Sequence, residues 1–149
     1  MVGDSLARAL LVAAALAVLV CVDLGLRART ACHEGEKYLL WHRRRDLQRE
    51  EWDAWLRREE SRLGLEAASG KIAEPERRLR ALLARAERDE RVAENPLKYA
   101  VRWFETARQF SPPPTPWSRR AAARLGEAKA LWRRELAAAG VDPDAYRYE

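Results

Sequence analysis

An uninterrupted apolar stretch, Ala9 to Val22, constrains this chain more than any other feature. Its fourteen residues carry no charge, although 34% of the residues in the chain are charged. As a helix, this stretch covers only about 21 Å, which is short of the ~30 Å hydrocarbon core of a bilayer. The flanking residues extend it to membrane length, because a helix from Leu6 to Leu26 is about 31 Å long.

The charged residues at the two ends of this segment are spaced for pairing. Asp4 precedes Arg8 by four residues, and Asp23 precedes Arg27 by four. Each pair shares one face of a helix, with the acid on the favourable N-terminal side. The sequence therefore predicts a transmembrane helix over 6–26, preceded by a short tail of residues 1–5.

A cleaved secretory signal is the main alternative to an uncleaved anchor. Such a signal needs small residues at the first and third positions before the cleavage site. Here most choices of site place Asp23, Leu26 or Arg29 at the third position. We therefore expect an uncleaved anchor, with a cleaved signal as the second alternative and a buried soluble helix as the third.

One face of the predicted span consists of small side chains. A row of small residues allows a second helix to approach closely, and this packing drives helix association in lipid. The row therefore predicts a neighbouring helix in the membrane, although an Ala-rich segment also produces such a row by chance. The residues of this packing face recur every four positions and are Ala9, Ala13, Ala17, Cys21 and Gly25.

Basic residues are concentrated on the C-terminal side of the span, whereas Arg8 is the one basic residue on its N-terminal side. The side richer in Lys and Arg normally stays in the cytoplasm. We expect the bulk of the chain on the cytoplasmic or matrix side of a bacterial or organellar inner membrane, although many N-terminal anchors are oriented the other way. The residues expected at the membrane surface are Arg27, Arg29, Lys37, Arg43, Arg44 and Arg45.

The rest of the chain has the apolar spacing of helices, so the predicted fold class is all-α. A basic juxtamembrane segment and a long helix occupy 27–70, with the helix itself over 34–68. This helix contains no proline. It is expected either to leave the membrane as an arm or to turn at Gly35 and lie along the surface. A turn is expected at 68–71.

An antiparallel helical hairpin is predicted over 71–110. Pro75 lies near the start of its first helix, and Asn95 followed by Pro96 is typical of the start of its second. The short connection between the two helices favours the antiparallel arrangement. The apolar stripe of the first helix is Leu79, Leu82, Leu83, Ala86 and Val92; that of the second is Leu97, Ala100, Val101, Phe104, Ala107 and Phe110.

Part of this hairpin resembles one helix of a tetratricopeptide repeat. The resemblance covers a short part of the chain, and no second repeat is in register. It implies that the hairpin packs in a repeat-like way and presents a groove to a partner. The matching residues are Ala100, Phe104, Ala107 and Pro112, whereas the positions of the preceding helix fall on Ala84, Glu87, Arg88 and Arg91 and do not match.

A proline-rich linker over 111–117 separates the hairpin from a final segment, 118–149. Consecutive prolines favour extended polyproline backbone and suit a spacer, or alternatively a ligand of a proline-recognition domain. Ser118 is expected to cap a last helix over about 119–139, which Gly140 ends. Its apolar stripe is Ala121, Leu125, Ala128, Trp132 and Leu136, and Val141, Tyr146 and Tyr148 are candidates for docking the tail.

No spacing of residues typical of catalysis, cofactor binding or metal binding is present. There is no Gly-rich phosphate loop, and Cys32, His33 and His42 need further ligands to hold a metal. Acids are interspersed with bases, which differs from the one-signed surface that binds nucleic acid. We therefore expect no enzyme, no cofactor, no nucleic-acid partner and no small-molecule substrate.

Two functions fit these features. The first is an accessory, assembly or scaffold subunit of a larger membrane complex, held by helix–helix packing in the lipid bilayer. The second is a membrane-tethered helical adaptor that recruits a soluble protein or peptide. Aromatic residues anchor protein interfaces, and those expected to bind a partner are Trp41, Trp52, Trp55, Trp103, Phe104, Trp117 and Trp132. The alternative for these residues is packing within the chain itself.

Overall fold

The predicted all-α fold is confirmed. The computed structural model describes residues 2–110 and 114–142, and it describes side chains at Arg8 and from Leu10 onward. All regular structure in these residues is helical. The helices are α1 (Val2–Arg43), α2 (Arg45–Ala68), α3 (Glu74–Ala93), α4 (Pro96–Gln109) and α5 (Pro116–Ala138).

The first break between helices lies at Arg44, which corrects the expected long helix over 34–68. Helix α1 runs through Gly35 without a turn and ends at Arg43. At Arg44 the backbone leaves the helical region, with φ −130° and ψ 78°. The Arg44 guanidinium donates to the carboxylate of Asp46, with Nη2 and Oδ2 2.6 Å apart. This local contact between charged side chains lies across the break. The sequence has no Gly or Pro here that would indicate a helix end.

The surroundings of α1 change at Ala28. Its large apolar side chains from Leu10 to Val22 are between 54% and 70% exposed, Leu24 is half-buried, and Ala28 is fully buried. From Leu10 onward the helix is long and apolar enough to cross a membrane, and it lies near the N-terminus, where a signal sequence passes the same test. One helix therefore combines a largely exposed apolar segment with a segment packed against other helices.

The chain divides into two compact units. Unit 1 comprises Met1–Leu39 and Leu97–Glu149, and unit 2 comprises Leu40–Pro96. This division places α3 in unit 2 and nearly all of α4 in unit 1, whereas the sequence grouped both helices in one hairpin over 71–110. The backbone between them is extended at Glu94, with φ −61° and ψ 147°.

Unit 1 is a bundle of three helical segments. The ring of Tyr38 stacks on Tyr99 with centroids 5.2 Å apart, and Phe104 contacts Gly35, so α4 runs antiparallel to α1. Trp117, at the start of α5, lies 5.0 Å from His33 between ring centroids. The end of α4 and the start of α5 therefore lie beside the part of α1 that follows the apolar segment.

The core of unit 1 matches the apolar stripes expected for α4 and α5. The stripe residues Leu97, Val101 and Phe104 are fully buried. On α1, the buried face consists mainly of small residues, which lets the other helices approach closely. The core residues are Ala31, Cys32, Leu39, Leu97, Ala100, Val101, Phe104, Ala107, Ala121, Leu125, Ala128 and Trp132.

The start of α5 differs from the expected cap at Ser118. Thr115 is the N-cap, and its side chain accepts a hydrogen bond from the Ser118 backbone N–H at 3.1 Å. The Ser118 hydroxyl oxygen in turn accepts from the Thr115 backbone N–H at 3.0 Å. Ser118 is therefore the second member of a capping box. At the other end, α5 ends at Ala138 and Gly140 has φ 73°, as expected.

Unit 2 contains an antiparallel hairpin of α2 and α3. Arg85 pairs with Glu60 and Arg88 with Asp53, so positions rise along one helix as they fall along the other. Gly70, with φ 72°, lies in the connecting turn, within the segment where a turn was expected. The predicted proline start of α3 is also confirmed, because Pro75 lies in its first turn.

Replacing Gly35 with Ala tests the close approach of α1 and α4. A Cβ atom at Gly35 would lie 2.6 Å from Phe104 Cδ1, and overpacking of this kind costs about 1–3 kcal/mol. We expect G35A to lower the unfolding midpoint of the full chain in detergent, measured by circular dichroism. The matched control is G126A in α5 of the same unit, where nothing lies within 4 Å and Ala is favoured by roughly 0.5–1 kcal/mol. Equal stability of G35A and wild type would contradict this packing.

Candidate functional site

The described small residues of the predicted packing face lie on the surface. Ala13, Ala17 and Cys21 are exposed. Gly25 is half-exposed, and a Cβ atom built on it meets nothing within 4 Å. The side chain of Ala9 lies outside the described residues. The described part of this face is therefore open along its length, as docking of a second helix requires.

The six basic residues expected at the membrane surface lie in different surroundings. Arg29 stacks over the Trp117 ring, with its Cζ 5.5 Å from the centroid. Arg27 and Arg29 follow Leu26 within one turn of α1, so they lie nearest the headgroups if α1 crosses the membrane along its normal. The remaining residues lie farther along the chain: Lys37 pairs with Glu34, Arg43 lies at the surface, Arg44 binds Asp46 and Arg45 binds Gln48.

The seven aromatic residues expected to bind a partner separate into buried and half-buried groups. Phe104 and Trp132 belong to the core of unit 1. Trp41 is also buried. Trp52 and Trp55 are half-buried in unit 2, with their rings edge to face and centroids 5.6 Å apart. Of the seven aromatic residues, Trp103 and Trp117 are half-buried in unit 1. Packing within the chain therefore accounts for the buried three.

Charged side chains hold the α2–α3 hairpin together. Arg88 Nη2 lies 2.6 Å from Asp53 Oδ1, and Arg85 Nη2 lies 2.8 Å from Glu60 Oε1. The Arg91 guanidinium lies over the Trp52 ring, 5.7 Å from its centroid. These contacts place the Arg-rich side of α3 against α2. Among the apolar residues of the two helices, Leu63 and Ala84 are buried.

The buried side chain of Gln48 adds a polar contact to this interface. Its amide nitrogen donates to the Arg91 carbonyl oxygen at 2.8 Å, and its amide oxygen accepts from Arg45 at 2.8 Å. Arg45 also donates to the Glu94 carbonyl oxygen at 3.0 Å. These bonds fix the start of α2 to the last turn of α3, whose C-terminal carbonyl groups have no partner within their own helix.

The apolar stripe predicted for α3 faces solvent from Leu79 to Ala86, which the sequence did not predict, whereas its last member, Val92, is half-buried. Leu79, Leu82 and Leu83 are 59%, 62% and 61% exposed, and Ala86 is exposed as well. Positions 79, 82, 83 and 86 share one helix face, whereas Ala84 and Arg88 lie on the side that contacts α2. We call Leu79, Leu82 and Leu83 the leucine stripe. It is the candidate interaction surface of unit 2.

The sequence carries a partial signal for this orientation. Asp53, Glu60 and Glu66 lie seven and six residues apart on α2, whereas Arg88, Arg85 and Arg80, which follow the reverse order on α3, lie three and five residues apart. The order of the charges therefore favours a hairpin that pairs through charges, although the intervals on the two helices do not match. Apolar periodicity alone locates the stripe but does not show whether it faces the hairpin or solvent.

Neither metal ligation nor nucleophilic chemistry emerges from the described geometry. Across residues 2–110 and 114–142, no group of three His, Cys, Asp or Glu side chains is placed to hold a metal ion. Burial raises the pKa of the Cys32 thiol, the carboxylate of Glu36 raises it further, and Arg120 and Arg124 partly offset this. A buried thiol with a raised pKa is a poor nucleophile.

No protein-family model, curated protein or solved structure matches this chain. The function must therefore be argued from the described residues themselves.

The two cysteines provide a test of the packing of unit 1. Cys32 is fully buried, whereas Cys21 is exposed on α1. We expect N-ethylmaleimide to reach Cys32 of the chain in detergent only after unfolding, because burial blocks access and disfavours the thiolate, and to react slowly with Cys21 as well, because detergent covers the span. Peptide mass spectrometry before and after denaturation measures both sites. Modification of Cys32 in the native protein at the rate seen in denaturant would contradict the described core.

Proposed function

We propose that this chain is a non-catalytic single-pass membrane protein that serves as an accessory, assembly or scaffold subunit of a larger membrane complex. The observation that carries this proposal is the leucine stripe of α3. Three leucines on one face are about 60% exposed while the charged face of the same helix packs on α2. This is the reverse of the arrangement expected for a helix that packs on its own domain alone.

The free energy of burying leucine side chains favours a partner protein that covers the leucine stripe. Burying a leucine side chain contributes about 1.5–3 kcal/mol, whereas an exposed ion pair contributes about 0–1 kcal/mol. Several contacts of the hairpin are pairs of the second kind, such as Arg85 with Glu60, whose side chains are 61% and 36% exposed. A partner that covers the stripe therefore adds stability that the hairpin lacks by itself.

The small-residue face of α1 supports a second contact, inside the bilayer. Its described positions Ala13, Ala17 and Cys21 are exposed, and close packing on small residues is a general route to helix association in lipid. A subunit that is held both by its span and by unit 2 is fixed more firmly than one held by either contact alone. This combination favours a membrane complex over a soluble partner, which is the adaptor alternative.

Co-purification in mild detergent tests the proposal. We expect the full chain to elute with other membrane proteins, and we expect L79Q combined with L83Q to weaken that association. The two leucines are exposed, so their replacement leaves the helical circular dichroism spectrum unchanged. The matched control is L65Q on α2, where an exposed leucine lies outside the stripe. Recovery of the wild-type chain alone, as a monomer, would overturn the subunit function, and a purely soluble partner would favour the adaptor.

The same experiment examines the span with a second pair of variants. Replacing Ala13 and Ala17 with Leu adds bulk to the small-residue face, so we expect weaker association with membrane partners. Replacing Ala14 and Ala15 with Leu adds the same bulk to other faces of the helix and is the control. Unchanged association of the first pair would exclude this face as a docking surface and leave the leucine stripe as the remaining contact.

We also propose that the bulk of the chain lies on the cytoplasmic side of an inner membrane, because Arg27 and Arg29 follow the apolar segment directly. A C-terminal fusion in a bacterial host tests this orientation. Green fluorescent protein attached after Glu149 should fluoresce, since it folds in the cytoplasm, and alkaline phosphatase at the same position should be inactive. Active phosphatase would place the C-terminus outside and reverse the proposed orientation.

A further inference from the structure

A groove in unit 1 lies directly beside the end of the apolar segment of α1. One wall is formed by Leu26, Thr30 and Ala31 of α1, and the other by Trp103, Thr106 and Phe110, which follow one face of α4 to its C-terminal end. Its volume is about 330 Å³, which lies at the lower end of the range for ligand pockets. The groove opens to the surface of the unit.

The position of the groove along α1 sets its depth relative to a bilayer. Leu26 is the last residue of the apolar segment, and Thr30 follows it by about 6 Å along the helix axis. If the span is inserted, the groove lies where acyl chains meet headgroups. Half-buried Trp103 and Trp117 lie at the same end of the unit, one lining the groove and the other beside His33. Trp residues at this depth are typical of membrane interfaces.

The lining is largely apolar with one cation, Arg27, at the rim. The Thr30 hydroxyl donates to the Leu26 carbonyl oxygen at 3.1 Å, and the Thr106 hydroxyl donates to the Arg102 carbonyl oxygen at 2.9 Å. Both hydroxyl protons are therefore engaged within their own helices. Arg27 borders the groove and pairs with Asp23 at 2.8 Å on the exposed surface of α1. An apolar floor beside a guanidinium group matches a lipid that has an acyl chain and a phosphate.

We propose that this groove binds one anionic phospholipid, with part of an acyl chain against Trp103 and Phe110 and the phosphate near Arg27. The inference rests on the proposed insertion of α1 in a membrane. What favours a lipid as the occupant is continuity: Leu26 belongs both to the groove and to the exposed apolar surface that begins at Leu10. A lipid in contact with the span reaches the groove without leaving the bilayer.

Site-specific photo-crosslinking in vesicles tests the site. The full chain carries p-benzoylphenylalanine in place of Phe110, and is reconstituted in equal amounts of phosphatidylcholine and phosphatidylglycerol. The same residue at Leu16 in the span reports contact with bulk lipid. The matched control carries p-benzoylphenylalanine in place of Trp55, a half-buried aromatic residue of unit 2. Mass spectrometry identifies each lipid adduct.

We expect lipid adducts at positions 110 and 16 and none at 55, with a higher ratio of phosphatidylglycerol to phosphatidylcholine at 110 than at 16. Replacing Arg27 with Gln should lower that ratio at 110 roughly fivefold, since a basic residue near an anionic surface contributes about 1 kcal/mol. The control R133Q removes an exposed arginine from α5 of the same unit and should leave the ratio unchanged.

The outcomes separate this inference from the proposed function. Adducts at position 16 without adducts at 110 would overturn the groove and leave membrane insertion intact. Equal lipid ratios at 110 and 16 would also overturn it, because position 110 would then contact bulk lipid only. Absence of adducts at both positions would overturn membrane insertion and the groove together.

Discussion

Close packing between Gly35 of α1 and Phe104 of α4 is the contact on which the arrangement of unit 1 depends. A glycine at this position lets the Phe104 ring lie against the helix backbone, where a Cβ atom has no room. The neighbouring buried residues Ala28, Ala31 and Cys32 are also small. Small side chains at these positions let α4 and α5 approach α1 closely, and dispersion contacts need such close approach. The buried face of α1 starts at Ala28, directly after the apolar segment, so α4 and α5 lie beside the end of the predicted span.

Unit 2 follows a different principle, because its hairpin pairs through Arg and acidic side chains and leaves leucines outside. Ion pairs such as Arg88 with Asp53 define which residues lie opposite one another, so they contribute specificity of register more than stability. The apolar surface of α3 stays available as a consequence. An exposed row of leucines on a soluble monomer favours aggregation, and this makes a covering partner the simplest explanation of the stripe.

Much of unit 1 could be predicted from the sequence because its signals are local. Asn95 and Pro96 mark the start of α4, and Leu97, Val101 and Phe104 recur at helical spacing, so this helix and its buried face agree with the expectation. The break at Arg44 could not be predicted, since it depends on a contact between Arg44 and Asp46 rather than on Gly or Pro. The outward direction of Leu79 and Leu82 was missed for another reason. Apolar periodicity shows that a helix has a buried face but does not say which neighbour buries it, and here the pairing of Arg88 with Asp53 decides.

The two candidate surfaces differ in how their occupancy depends on the surroundings. A lipid in the groove is drawn from the bilayer that holds the span, where lipid is always in excess, so occupancy there does not vary with the supply of a partner. The leucine stripe needs a protein of finite abundance, and ligand binding stabilises the native state in proportion to RT ln(1 + [L]/Kd). Under the proposed function, the stability of unit 2 therefore varies with the supply of its partner, whereas unit 1 already buries Phe104, Leu97 and Val101 in its own core. The proposed subunit would remain anchored by its span without the complex and would gain stability of its hairpin within it, which suits a subunit that is retained through assembly.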